Sequence, residues 1–301
     1  MVCSPSTHQG VRLRFEGYWL ASGILGVSAS ILRRVADAGA DVVVTKSIGI
    51  RPREGHPGPI VTASHGGLLN AVGLTNPGID AFADEILLLR EWNVPFVLSI
   101  FGSTVDEIVR VAVRGVEAGA PALELNLSCP HAEISQIAHD PETTYEYVRA
   151  VRDAVDCPIL AKLSPNASDI VAVGLAAERA GADAVVAVNT LRAMRIDIDL
   201  QQPVLGNLVG GLSGPPVFPV AVRCVYDLFS ALSIPIVGVG GVTTWRDAIE
   251  MHMAGASAIQ VGTAVLKGVE VFRRIKRGVQ RYLRDRGFSS TNEIVGIAAG
   301  R

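Results

Sequence analysis

Short, nearly continuous runs of Val, Ile, Leu and Ala alternate along the chain with longer stretches whose apolar positions recur every three or four residues. The first kind reads as strands buried on both faces, the second as amphipathic helices. This pattern predicts eight strands, near Tyr18–Gly23, Asp41–Thr45, Pro95–Phe101, Ala122–Ser128, Pro158–Leu163, Ala184–Asn189, Pro235–Gly240 and Ala258–Gly262. Helical periodicity fills several of the intervals: SASILRRVADAGA, TVDEIVRVAVRGVEAGA, TTYEYVRAVRDAV and SDIVAVGLAAERAGA. Several of these close on Ala-Gly, a C-terminal stop before the next strand. Eight strands alternating with helices predict an α/β chain closed into one (β/α)8 barrel, a single domain across residues 1–301. The rival is a doubly wound open sheet. It would want GxGxxG after its first strand, and ASGILG does not fit.

Candidate chemistry follows from where the strands stop, because barrels place their sites at the C-terminal strand ends. The polar residues there are Ser22, Thr45, Lys46, Ser99, Asn126, Ser128, Cys129, Lys162, Asn189 and Thr190. The last two strands end in the glycine clusters VGVGG, with Gly240 and Gly241, and VGTA, with Gly262 and Thr263. Backbone N–H groups at such turns suit a phosphate. The rim has no carboxylate pair for glycoside chemistry. Cations, amides, a thiol and a phosphate cradle on one rim point to a phosphate-bearing organic cofactor that carries the chemistry.

Composition narrows the classes. The chain has 301 residues, 49% hydrophobic and 19% charged, which supports a sizeable core and argues against disorder. A net charge of −2 gives no basic field for nucleic acid or an anionic membrane. Neither a membrane-length apolar run nor an N-terminal signal core is evident, so the expected location is cytoplasmic. Cys3, Cys129, Cys157 and Cys224 form no CxxC pair, and the histidines have no HExxH or HxH spacing, so no metal site is expected. Lysine occurs only at positions 46, 162, 267 and 276. Lys46 and Lys162 follow or end strand runs, which makes them site cations or partners in structural ion pairs.

Cys129 sits in ELNLSCPHAE, where a strand runs into a Ser-Cys-Pro turn two residues before His131. Three readings are open: a packed core cysteine, a nucleophile paired with histidine, or a general base. Packing is the ordinary reading for Cys3, Cys157 and Cys224. A Cys–His acyl-transfer site would need an orienting third group and an oxyanion hole, and would leave both lysines and the glycines without a role. An idle scaffold barrel would leave the whole polar rim unexplained.

The set VTKS, LLNAVGLTNPG, ELNLSCP, AKLSPN, VNTL, VLGNLVGGLSGP, PIVGVGGV and AIQVGTA, in order and spacing over nearly the whole chain, resembles the dihydroorotate dehydrogenase family, class 1. GGLSGP and VNTL are most like the class 1B catalytic subunit. The resemblance implies an FMN-containing barrel that oxidises dihydroorotate to orotate in pyrimidine synthesis. It implies that Ser22, Lys46, Ser47, Asn126, Lys162, Val188, Gly214, Gly240, Gly241, Gly262 and Thr263 line the flavin. It places Lys46, Asn70, Ala71, Val72, Gly73, Leu74, Asn126, Asn189 and Thr190 around the substrate, with Cys129 as the base and Lys162 beside the flavin as the other catalytic group. It implies a partner subunit carrying FAD and a [2Fe–2S] cluster that passes electrons to NAD, around a homodimer core of a heterotetramer. A fumarate-dependent class 1A-like enzyme and a dihydropyrimidine dehydrogenase are the alternatives. One departure bears on substrate choice: family members usually carry asparagine where this chain has His131, and AEISQIAHDPE lacks the usual glycines.

Overall fold

The computed structural model describes residues 13–127 and 139–300. Eight parallel strands close into a barrel, a TIM barrel with helices between the strands. In chain order the described strands are β1 (Gly17–Leu20), β2 (Val42–Val44), β3 (Val61–Ser64), β4 (Gly67–Asn70), β5 (Phe96–Ile100), β6 (Leu123–Asn126), β7 (Ile159–Leu163) and β8 (Ala184–Ala187). They continue with β9 (Leu191–Ala193), β10 (Ile196–Asp197), β11 (Gln202–Pro203), β12 (Gly210–Ser213), β13 (Ile236–Val239) and β14 (Ala258–Val261). The barrel order is β1-β14-β13-β8-β7-β6-β5-β2, closed by Trp19 opposite Val42. All eight strands expected from the apolar runs are therefore the barrel strands. Most stop one to three residues earlier than expected, because the chain leaves the ladder to turn over the rim.

The helices are α1 (Ala29–Asp37), α2 (Ile79–Glu91), α3 (Val105–Ala118), α4 (Pro141–Ala154), α5 (Ile170–Arg179), α6 (Phe218–Ala231), α7 (Trp245–Ala254) and α8 (Val271–Arg286). Side-chain caps start several of them. Thr104 accepts from the N–H of Glu107, Asp140 from that of Thr143, and Thr244 closes a capping box with Asp247. Strand period 2 then sorts the core. Trp19, Val42, Val97, Ala122, Leu160, Val186, Val237 and Ala258 fill the barrel, while Leu123, Leu125 and their counterparts face the helices. Outside the barrel, the buried Tyr18 hydroxyl meets His252 Nε2 at 3.3 Å and His252 Nδ1 meets the Ala256 carbonyl at 2.7 Å. Burial pushes the His252 imidazole down to about 4, so this pair is held neutral.

One part was not anticipated. β3, β4, β12 and β9 form a separate antiparallel sheet over the C-terminal end of the barrel, with β10 and β11 a small ribbon beside it. His65 (φ 41°) and Gly66 (φ 81°) make the two-residue turn of the β3–β4 hairpin, both in the left-handed region that such turns demand. His65 thus holds a turn position.

Candidate functional site

The floor of the site is set by β6 and β7. Counting inward-facing positions along β6 gives Ala122, Glu124 and Asn126; on β7, Lys162 pairs in register with Asn126. Glu124 is fully buried inside the barrel. It accepts from Lys162 Nζ at 3.1 Å and from Gln260 Nε2 of β14 at 2.6 Å. The structural ion pair considered for the lysines therefore exists for Lys162. A buried ammonium and carboxylate compensate each other there, and the pair joins three strands. Sequence inspection missed Glu124 because it sits inside ELN among apolar neighbours and reads as one polar position of a strand.

Above the floor lie two adjoining compartments. The first, about 440 Å³, is bounded by Ala21, Ser22, Val188, Gly214, Gly240, Gly241, Gly262, Thr263 and, from below, Lys162. The N–H groups of Gly241 and Val242, beyond β13, and of Thr263 and Ala264, beyond β14, make no hydrogen bond among the described residues. Four unpaired donors at neighbouring strand ends match the oxygen-rich surface of a phosphate. Gly241 (φ 75°) must be glycine. A Cβ there would lie 2.6 Å from Phe218 Cβ and 2.9 Å from the Gly214 carbonyl. Thr263 Oγ1 donates to Ser213 Oγ at 2.9 Å, tying the cradle to the antiparallel sheet.

The second compartment, about 480 Å³, shares Gly23, Asn70, Val72, Asn189 and Thr190 with the first. Lys46, Ala71, Leu74 and Asn126 line it, as expected. Its amides are held by one another and by the backbone. Asn189 Nδ2 donates to Asn126 Oδ1 at 3.2 Å, Asn126 Nδ2 to Ser47 Oγ at 3.0 Å, and Asn70 Nδ2 to the Gly211 carbonyl at 3.1 Å. Gly210 and Gly211 let β12 press against these groups; a Cβ on Gly211 would collide with Thr190 Oγ1. Among the described residues Lys46 has no carboxylate beside it, and burial holds its ammonium below the usual lysine range.

Two expected site residues line neither compartment. Ser47 lies buried beneath them, at 2.9 Å from Ser99 Oγ and 3.4 Å from Ser22 Oγ, and so supports Ser22 and Asn126 from behind. Gly73 (φ 80°) packs on His56, whose amide nitrogen a Cβ would approach to 2.6 Å. Cys129 and His131 lie outside the described residues, as does Ser128; Asn126 and His139, on either side of that stretch, both line the second compartment. Cys224 is buried and Cys157 half-buried, and burial raises both thiols, Cys157 to about 11, which fits packing. Among the described residues no group of His, Cys, Asp and Glu could hold a metal, and no helix is long and apolar enough to cross a membrane.

A family model described as dihydroorotate dehydrogenase matches residues 11–283. The chain belongs to the dihydroorotate dehydrogenase family. It is 51% identical over 282 residues to the protein named dihydroorotate dehydrogenase B (NAD(+)), catalytic subunit, of Pyrococcus abyssi, covering 93% of this chain and 94% of the relative. The proteins of the same name from Thermococcus kodakarensis (52%) and Methanocella arvoryzae (49%) match with 93% of this chain covered, and 93% and 92% of their own. These similarities make the chain an oxidoreductase of the class 1B type within the dihydroorotate dehydrogenase family. The fold is shared with a crystal structure of the enzyme from Eimeria tenella in complex with ferulenol, at 21% identity, a TM-score of 0.81, and 94% and 85% of the two chains covered.

Sequence reasoning did not pick out His56, His139, Ser164, Asn166, Arg192 and Asn207, which complete the wall of the second compartment. His139 Nε2 lies 3.3 Å from Ser164 Oγ, and Asn166 Nδ2 donates to the same hydroxyl at 3.0 Å. Burial, with the charge of Arg192, holds the His139 imidazole below its usual value, so it is neutral at pH 7. The SPN of AKLSPN was the available signal: Ser164 and Asn166 follow directly on β7.

Proposed function

We propose that this chain oxidises dihydroorotate to orotate in pyrimidine biosynthesis, as a single barrel domain with FMN in the first compartment and the dihydropyrimidine in the second. The observation that carries this is the pairing of linings. A cradle of backbone N–H groups, free among the described residues, adjoins a compartment bearing Lys46, Arg192 and several side-chain amides, with no carboxylate among its described lining residues. The first suits a phosphate with a flat ring behind it. The second suits a small anion with ring amides, since an asparagine offers both a donor and an acceptor.

Oxidising a C–C bond beside a carbonyl removes a proton from one carbon and a hydride from its neighbour. Bound FMN supplies the hydride acceptor, at N5. The chain supplies the rest. Cys129 takes the proton as the general base, a role its thiolate can fill near neutrality when cations stand nearby. Lys162, aimed up from Glu124, stabilises negative charge that builds at the floor of the first compartment. Lys46, Asn70, Asn126, Asn189 and Thr190 orient the substrate, with Ala71, Val72 and Leu74 beside it. Gly240, Gly241, Gly262 and Thr263 hold the phosphate, and Ser22, Val188 and Gly214 the ring.

The chain carries no cluster or nicotinamide motif, so electrons leave through a separate subunit with FAD and [2Fe–2S], on to NAD, in a cytoplasmic assembly around a homodimer. The names of its relatives as catalytic subunits support this reading. The test is anaerobic. Dihydroorotate should bleach the visible flavin absorbance of the purified chain, and dihydrouracil, which lacks the carboxylate, should not. Bleaching by dihydrouracil alone would show a dihydropyrimidine dehydrogenase. Turnover of fumarate without a partner would show a class 1A-like enzyme.

A further inference from the structure

Inside the barrel, below the first compartment, three polar side chains stand where the fold would accept apolar ones. Other interior positions hold Trp19, Val97, Val186 and Val237, all buried. Glu124, Lys162 and Gln260 are buried as deeply, at 0%, 6% and 0% exposure. A buried ion pair is weak evidence of stability, since apolar residues of similar volume often serve as well or better. Both oxygens of the Glu124 carboxylate are engaged, Oε1 by Lys162 Nζ at 3.1 Å and Oε2 by Gln260 Nε2 at 2.6 Å. Gln260 completes that arrangement at a cost, because its own Oε1 has no hydrogen-bond partner among the described residues. The flipped amide would be worse. It would set an oxygen against the carboxylate and strand two N–H donors. A stranded acceptor at the centre of a barrel calls for an explanation beyond packing.

Lys162 is the link upward. Its ammonium has three donors, of which Glu124 takes one, and the same side chain lines the first compartment. What the compartment meets is therefore the positive end of an ion pair, with the negative end one hydrogen bond beneath it. A lone buried ammonium would present a full unit charge instead.

We propose that Glu124 is a positioning residue that acts through Lys162. It anchors the ammonium from below and offsets its charge, so that a flavin bound above is held at a lower reduction potential than a lone lysine would give. The inference rests on the reading that FMN occupies the first compartment. A hydride brings two electrons and one proton, so the reduced ring carries one more negative charge than the oxidised ring. An uncompensated ammonium would stabilise that charge strongly and hold the electrons back from any onward acceptor. The carboxylate opposes this from the far side of the ammonium. At an effective dielectric of about 20, one such charge is worth roughly 10- to 100-fold in the equilibrium. Gln260, uncharged, holds the far oxygen and keeps the carboxylate turned towards Lys162.

The test is the midpoint potential of the flavin-loaded full chain, read by spectroelectrochemical titration. Glu124→Gln keeps the shape and one oxygen for Lys162, and its new amide can donate to Gln260 Oε1 once that amide turns over. Its potential should rise, favouring the reduced ring by roughly 10- to 100-fold, about 30 to 60 mV for a two-electron couple. Glu124→Asp keeps the charge but withdraws it from Lys162 by one methylene, and should show a smaller rise. Gln260→Met removes the amide and leaves the charge, so its potential should stay near wild type. An unchanged or lowered potential in Glu124→Gln overturns the proposal and leaves the cofactor reading standing. Equal shifts in Glu124→Gln and Gln260→Met also overturn it, marking the three side chains as scaffolding. If the glutamine variant holds no flavin, Glu124→Asp decides, and a wild-type potential there overturns the proposal. A wild-type chain that takes up no flavin removes the cofactor reading and this inference together.

Discussion

The two compartments share one floor and one seam, yet they are made from different parts of the polypeptide. The first is walled mainly by backbone: Gly214, Gly240, Gly241 and Gly262, with free N–H groups between them. The second is walled by long polar side chains, brought from β2, β6, β7 and β8 and from the antiparallel sheet above. A backbone site asks only that the chain turn closely, so its enemy is a Cβ. A side-chain site tolerates shape changes better and is vulnerable to loss of charge. The difference implies that substitutions should separate cofactor loss from substrate loss.

The largest effect should come from the proton acceptor. Cys129→Ala should keep flavin in the first compartment and slow its reduction by dihydroorotate by roughly 10²- to 10⁴-fold, the usual worth of a general base. Stopped-flow reduction at the wild-type rate would remove Cys129 from the chemistry. Next comes the shared floor. Glu124→Leu leaves the Lys162 ammonium buried without its carboxylate, and removing one partner of a buried pair costs about 3–5 kcal/mol. Thermal melts should show this loss, and affinity for flavin and orotate should fall together. Removing the more exposed partner in Arg152–Asp183 should cost far less. A small change in Glu124→Leu would mean that the floor does not depend on the pair.

Gly241→Ala tests the backbone compartment alone. A side chain at this positive φ, against Phe218 and Gly214, should cost about 1–3 kcal/mol of strain. Flavin affinity, followed by fluorescence on release, should weaken by roughly tenfold or more. Once the variant is saturated with flavin, orotate affinity should match wild type; a parallel loss of both would break the separation of the compartments. The smallest effect is a pH dependence. If Lys46 attracts the anion as an ammonium, as proposed, its burial lowers its pKa, so the attraction should be present at neutral pH and fade as pH rises, earlier than for an exposed lysine. Orotate titrations between about pH 7 and 10 should show affinity falling before the ordinary lysine value near 10.4 is reached. A flat profile would mean that Lys46 does not carry the attraction.

Much of this was legible in the chain. The eight apolar runs are the eight barrel strands, because a strand buried on both faces must be almost wholly apolar and so announces itself. Gly240, Gly241, Gly262 and Thr263 were legible for the related reason that close backbone turns need glycine. The antiparallel sheet was not. GLLN and GGLS are four-residue strands paired across more than a hundred positions, with no periodicity long enough to read. Arg192 and His139 escaped notice with it, since nothing near them in sequence marks them as neighbours of Lys46.

By itself, then, the sequence determined the barrel, its polar rim and the phosphate-ready turns, all of which follow from local burial and local backbone geometry. Only the tertiary structure decided that Glu124 lies under Lys162, that the two compartments meet at Asn70 and Asn189, and that Arg192 stands at the second one's edge. Those facts depend on which strands become neighbours when the barrel closes, and on a sheet assembled from segments far apart in the chain.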